Sequence, residues 1–155
     1  MARNKSDRLK TAQLINSGAI HVLRGLRYVD RHAGVGPARL SALSVLAFGG
    51  PRTLGQLAEL EEVAGPTMTR IVDGLCAQGL AERTPHPRSR RAVLVSATPA
   101  GAELMHVAAD RRAHAISAAL RQLDSTEQEA LHAAAPALVR LATALTAAER
   151  ARLAQ

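Results

Sequence analysis

Apolar positions in this chain recur at spacings of three and four residues over most of its length, a pattern that predicts a mainly helical protein. From about Asp7 to Asp30, Ile15, Ala19, Val22, Leu23, Leu26 and Val29 draw one apolar stripe, and Arg24, Arg27 and Arg31 lie largely off it. The run His32-Ala33-Gly34-Val35-Gly36-Pro37 breaks this helix. Leu40, Leu43 and Leu46 then mark a second helix that stops at Gly49-Gly50-Pro51. Thr53 with Gln56 three residues on forms a capping-box signature, so a short helix starts there and turns Leu54, Leu57, Ala58 and Leu60 inward. After Glu62-Val63-Ala64 a further helix directs Met68, Ile71, Val72 and Leu75 to the core and Thr67, Thr69, Arg70 and Asp73 elsewhere. Gly79 supplies the left-handed residue that ends it.

Beyond Gly79 the pattern changes. Leu80 to Thr84 and Ala92 to Ala97 are short segments that can pair as a two-stranded hairpin. The turn between them, Thr84 to Ala92, carries Arg88, Arg90 and Arg91. Thr98-Pro99 opens a long helix, since threonine caps and proline tolerates the first helical position. Leu104, Ala108, Ala115, Ala119 and Leu123 populate one side of it. A final helix begins at Ser125, with Gln128 completing another capping box, and runs through Leu131, Leu138, Leu141 and Leu145. Pro136 is expected to kink it or divide it in two.

This order of elements predicts a mainly α fold with a small β-hairpin wing (α+β). It is a winged helix-turn-helix over residues 38–98, flanked by long helices over 7–36 and 99–155, all within one domain, 1–155. A basic hairpin tip beside an exposed helix can reach phosphates or a groove, which makes double-stranded DNA the leading partner. The terminal helices are long for a chain of 155 residues and need something to bury against. A two-fold homodimer whose terminal helices interdigitate is the economical solution.

Composition narrows the classes. With 47% apolar residues the chain can bury a real core, and the net charge of +7, mostly from arginine, suits an anionic partner. Tyr28 and Phe48 are its only aromatic residues besides histidine, in keeping with a helical body and a small sheet. The lone Cys76 excludes an internal disulfide and fits a reducing cytoplasm. No signal peptide is read at the N-terminus, and no stretch is read as approaching the roughly 20 apolar residues that span a bilayer. A soluble, cytoplasmic protein without membrane contact is expected.

Several ordered blocks resemble the MarR family of bacterial transcription regulators. They are Thr53-Leu54-Gly55-Gln56-Leu57-Ala58, Gly65-Pro66-Thr67-Met68-Thr69-Arg70-Ile71-Val72-Asp73-Gly74-Leu75, Gly79-Leu80-Ala81-Glu82-Arg83, Pro87-Arg88-Ser89-Arg90-Arg91 and Thr98-Pro99-Ala100-Gly101. The resemblance implies a homodimer, by family habit a ligand-responsive repressor, on a pseudo-palindromic operator, with each recognition helix in a major groove and each wing against a minor groove. On this sequence it implies DNA contacts at Thr53, Gly65, Pro66, Thr67, Thr69 and Arg70, and at Arg88, Ser89, Arg90 and Arg91 of the wing. Thr67, Thr69 and Arg70 can bond base edges or phosphates. Wing guanidinium groups are drawn to a narrow minor groove. Asp73 reads as an ion-pair partner for Arg83 or Arg91 rather than a base reader. Ser89 and His86 stand where the family often has acidic residues, and Ala64 where a serine commonly caps the recognition helix.

The resemblance also implies an effector pocket between the long helices and the DNA-binding lobe, with His21, Arg24, Tyr28 and Phe48 as lining candidates for a small-molecule effector. Gly34 and Gly36 do not make a dinucleotide loop, since Arg39 stands where its third glycine belongs and no strand precedes it. His106, His114 and His21 could approach one another as a metal-sensing site, but without cysteine ligands or tight spacing neither a metal nor a cofactor is expected. Cys76 reads as a packing residue rather than a redox sensor. No nucleophile motif or carboxylate pair points to an enzyme. The alternatives are a helical dimeric protein-interaction module and a metal-responsive regulator on the same fold.

Overall fold

The computed structural model describes residues 2–87 and 89–153. The chain divides into two units, Met1–Ala113 and His114–Gln155.

In the first unit, α1 runs over Ala2–Asp30 and passes into a 3-10 turn, Arg31–Ala33. Gly34 (φ 72°) takes the left-handed conformation that ends this turn, and Pro37, with its pre-set φ, starts α2 (Pro37–Gly49). A two-residue strand β1 (Arg52–Thr53) leads directly into α3 (Leu54–Leu60). The capping box expected there is present: Gln56 N–H donates to Thr53 Oγ1 at 3.3 Å, and Thr53 N–H donates to Gln56 Oε1 at 2.9 Å.

The turn between α3 and α4 (Gly65–Ala77) holds Glu62 at φ 52°, the one positive-φ residue other than glycine among the described residues. Gly79 (φ 69°) closes α4 in a Schellman arrangement, with Leu80 N–H bonded to Leu75 O at 2.9 Å and Gly79 N–H to Cys76 O at 2.9 Å.

Strands β2 (Ala81–His86) and β3 (Ser89–Ala97) pair antiparallel, and β1 adds to the other side of β3, so the sheet order is β1-β3-β2. The sheet thus has three strands where the apolar pattern predicted two, because a two-residue strand is too short to show a period. The hairpin is also longer than expected. Ser89, Arg90 and Arg91 lie in β3 rather than in a loop, and the ladder steps from Pro85↔Val93 to His86↔Ser89, a bulge beside a proline that has no N–H to give.

The core is apolar throughout, with no buried polar or charged residue among those described. Leu40, Ala42, Leu43 and Leu46 of α2 meet Leu57 and Ala58 of α3, Met68, Val72 and Leu75 of α4, Ala81 and Val95 of the sheet, and Met105. Met105 belongs to α5 (Pro99–Leu120). The start of α5 is tied to the lobe: the Thr98 hydroxyl donates to Gly79 O at 2.6 Å and accepts from Gly101 N–H at 3.1 Å. Gly101 is buried against the Leu80 carbonyl oxygen, where a Cβ would collide with backbone. Of the stripe expected on α5, Ala108 is buried and Leu104 and Ala115 are half-buried, but Ala119 is exposed and Leu123 lies beyond the helix end.

In the second unit, α6 covers Ser125–Leu153. Its cap is not Ser125 with Gln128. Asp124 and Glu127 form the reciprocal pair, Glu127 N–H donating to Asp124 Oδ1 at 2.8 Å and Asp124 N–H to Glu127 Oε2 at 3.1 Å. A carboxylate accepts more strongly than a hydroxyl at a helix N-terminus, so the box forms one residue earlier. Pro136 neither ends nor divides α6, which is continuous through it. The reading that no stretch approaches a bilayer span is also corrected: within Ser125–Ala148, an 18-residue window reaches a mean hydropathy of 1.3, long and apolar enough by length and composition alone.

Candidate nucleic-acid interface

Helix α4 owes its place to Met68, Val72 and Leu75, which recur on one face and are buried. That burial turns Gly65, Pro66, Thr67 and Arg70 outward, and all four are exposed. Ala64 is the N-cap and has no side-chain acceptor there; its carbonyl takes the Thr67 N–H at 2.9 Å and the Met68 N–H at 3.1 Å, and Pro66 has no N–H to satisfy. Thr69 is half-buried, and its hydroxyl donates back to Gly65 O at 3.1 Å. Its oxygen lone pairs stay open, whereas the hydrogen is committed to the helix.

Among the described residues, an ion pair braces the wing strand β2 against α4. Arg83 Nη2 donates to Asp73 Oδ1 at 2.7 Å, with 32% and 56% of the respective side chains exposed. A half-exposed pair contributes little stability. Its use is directional, because it sets the hairpin at a fixed angle to the exposed face of α4.

Thr53 lies at the end of β1, on the side of β3 away from β2, half-buried and paired with Leu94 while its side chain caps α3. The backbone of Ser89, Arg90 and Arg91 belongs to β3. The side chains of these three, and the whole of Arg88, lie outside the described residues.

Two features escaped the sequence reading. Arg39 of α2 lies over Gly74 of α4, where a Cβ would run into its guanidinium. Arg112 of α5 holds Asp30, the last residue of α1, with Nε to Oδ1 at 2.8 Å and Nη2 to Oδ2 at 2.9 Å. The hydrogen bond to Asp30 raises the pKa of Arg112 above its ordinary value, against the lowering effect of partial burial. No local signal marks partners 82 residues apart.

The residues considered for an effector fall into different settings. The Tyr28 ring is exposed, with the Arg31 guanidinium 4.8 Å from its centroid. Phe48 at the end of α2 meets the His106 ring edge-on at 5.8 Å. His21 and Arg24 lie exposed along α1. Among the described residues no group of three or more His, Cys, Asp or Glu side chains gathers as a metal site. Cys76 is half-buried and packed against the core.

An outward-facing helix beside a braced basic hairpin is an arrangement that known proteins share. Residues 33–92 match the MarR family. An uncharacterized HTH-type transcriptional regulator of Mycobacterium bovis is 35% identical over 132 residues, 85% of this chain and 92% of the relative. Among solved structures, the Multiple Antibiotic Resistance Repressor, MarR, superposes with a TM-score of 0.71 at 22% identity, over 83% of this chain and 93% of that one. NadR in complex with 4-hydroxyphenylacetate does so with a TM-score of 0.60 at 18% identity, over 80% of this chain and 88% of that one. The chain belongs to the MarR family: it is a DNA-binding, winged-helix transcription regulator and not an enzyme.

Proposed function

We propose that the protein is a cytoplasmic, ligand-responsive repressor that binds a pseudo-palindromic operator as a homodimer. The observation that carries this reading is the outward face of α4, with Thr67 and Arg70 exposed, set by the Asp73–Arg83 pair beside the wing. In this reading Gly65, Pro66, Thr67, Thr69 and Arg70 enter the major groove. Thr53 approaches the backbone, and Arg88, Ser89, Arg90 and Arg91 track phosphates and the minor groove.

The dimer is supported by the apolar residues that α1 and α6 leave exposed in the single chain, Leu14 at 75% and Val139 at 68% among them. Covering them with a second copy removes that surface from water. It also gives α6, apolar enough for a bilayer by composition, a protein partner in place of lipid. A small aromatic acid is the effector class suggested by the ligand of the structural neighbour NadR, with His21, Arg24, Tyr28 and Phe48 as candidate contacts. Such a ligand acts only by favouring one spacing of the two lobes over another.

Titration of a selected duplex at several salt concentrations tests the reading. Log affinity should fall with log salt with a slope of about 0.9 per phosphate contact. Arg90→Ala should weaken binding to all sequences, and Thr67→Ala or Arg70→Ala should change preference among them. A response flat in salt would overturn DNA recognition by this face and assign the wing to protein docking.

A further inference from the structure

The start of α5 is fixed to the lobe by the Thr98 hydrogen bonds, the Gly101–Leu80 contact and the burial of Met105. Three helical turns beyond Gly101, the same helix presents Arg112 to the end of α1. Between Ser6 and Val29, α1 itself packs little: Ile15, Leu26 and Val29 are half-buried and the rest exposed. Its direction is therefore decided at its C-terminal end. There Asp30 sits where the helix dipole disfavours an anion and aspartate is a poor helix former. The local cost is offset from outside the helix by the Arg112 fork, which fixes orientation as well as distance. The neighbouring Arg31 is engaged with the Tyr28 ring instead. Immediately after Asp30 the chain turns through the 3-10 segment and Gly34, a natural pivot.

We propose that Asp30 and Arg112 are positioning residues for DNA binding: their bidentate pair sets the angle at which α1 leaves the lobe, and thereby the half-site separation that two copies of the chain accept. This rests on the dimeric DNA-binding reading above. In a dimer joined through its long helices, a change of that angle moves the two recognition helices apart or together, although neither residue touches DNA.

The test starts with a duplex selected from random sequence by the wild-type chain, together with two versions whose half-sites are one base pair closer or further apart. A wild type that binds no duplex, or binds as a monomer, removes the underlying reading and the proposal with it. With a dimeric wild type that prefers one spacing, Asp30→Ala and Arg112→Ala are expected to shrink that preference by about fivefold or more, the lower end of couplings between separate sites. Discrimination against a base change within a half-site should stay as in the wild type. The double charge reversal, Asp30→Arg with Arg112→Asp, should restore part of the spacing preference. Arg112→Lys keeps the charge but loses the fork. It should fall between wild type and alanine, and it carries the test should the alanine variants fail to fold. Unchanged spacing preference with only a lower melting temperature, or equal loss on all three duplexes, overturns the proposal.

Discussion

The lobe and the long helices use the same residues, leucine, alanine and valine, to opposite ends. In the lobe, Leu43, Leu57 and Leu75 are removed from solvent by α2, α3, α4, the sheet and Met105, all within one chain. Along α1 and α6, Leu9, Leu14, Leu23, Val139 and Leu145 remain exposed. Three- and four-residue spacing marks an apolar face equally well in both regions, but only the lobe has the strands and turns that bring other elements over it. The difference separates apolar surface that one chain buries from apolar surface that it leaves exposed; on the function proposed above, it links DNA contact, in the lobe, to assembly, in the arms.

The comparison can be broken most sharply in the lobe. Leu43→Ala should cost about 2–5 kcal/mol, the range for a buried leucine. The loss should be independent of protein concentration, as read by chemical denaturation. Next in size is Gly101→Ala, expected to cost about 2–3 kcal/mol because the added methyl meets the Leu80 backbone carbonyl, which cannot rotate away. A neutral result would mean that α5 is not seated on the lobe as observed. In the arms, Leu145→Ala should cost about 1 kcal/mol per chain. Its effect should appear as a weaker dependence of melting temperature on protein concentration, as expected when association buries the side chain. A concentration-independent shift would place Leu145 outside any interface. Smallest is Glu62→Gly in the turn before α4, which should stabilise the lobe by about 0.5–1 kcal/mol by relieving a left-handed conformation that glycine adopts freely.

Much of the fold was legible in the chain, and for identifiable reasons. Thr53 with Gln56, Gly79 and Thr98-Pro99 act through bonds or torsions within a few residues, so their signals are local, and the structure places a cap, a helix end and a helix start there. One error arose where two local options compete. Asp124 displaced Ser125 as the cap of α6, and of the two outcomes expected at Pro136 the division is absent. The exposed face of α4 that makes the candidate site was legible in outline, since burial of Met68, Val72 and Leu75 by itself turns Thr67 and Arg70 outward. Its bracing was less so: Asp73 had two candidate arginines, of which Arg83 holds it in the structure while the side chain of Arg91 lies outside the described residues. The four residues considered for an effector shared a reasoned neighbourhood, yet Tyr28 and Phe48 take different partners.

By itself the amino-acid order determined where most helices begin and end, which faces of the lobe helices are largely apolar, and that a basic hairpin follows an outward-facing helix, because each depends on short-range hydrogen bonding, torsional preference or periodic burial. Only the tertiary structure decided that Arg52 and Thr53 join the sheet, that Arg39 rests on Gly74, and that Asp30 is held by Arg112. These are contacts between residues far apart in the chain, and their partners are chosen by how the packed elements meet, not by anything encoded near either one.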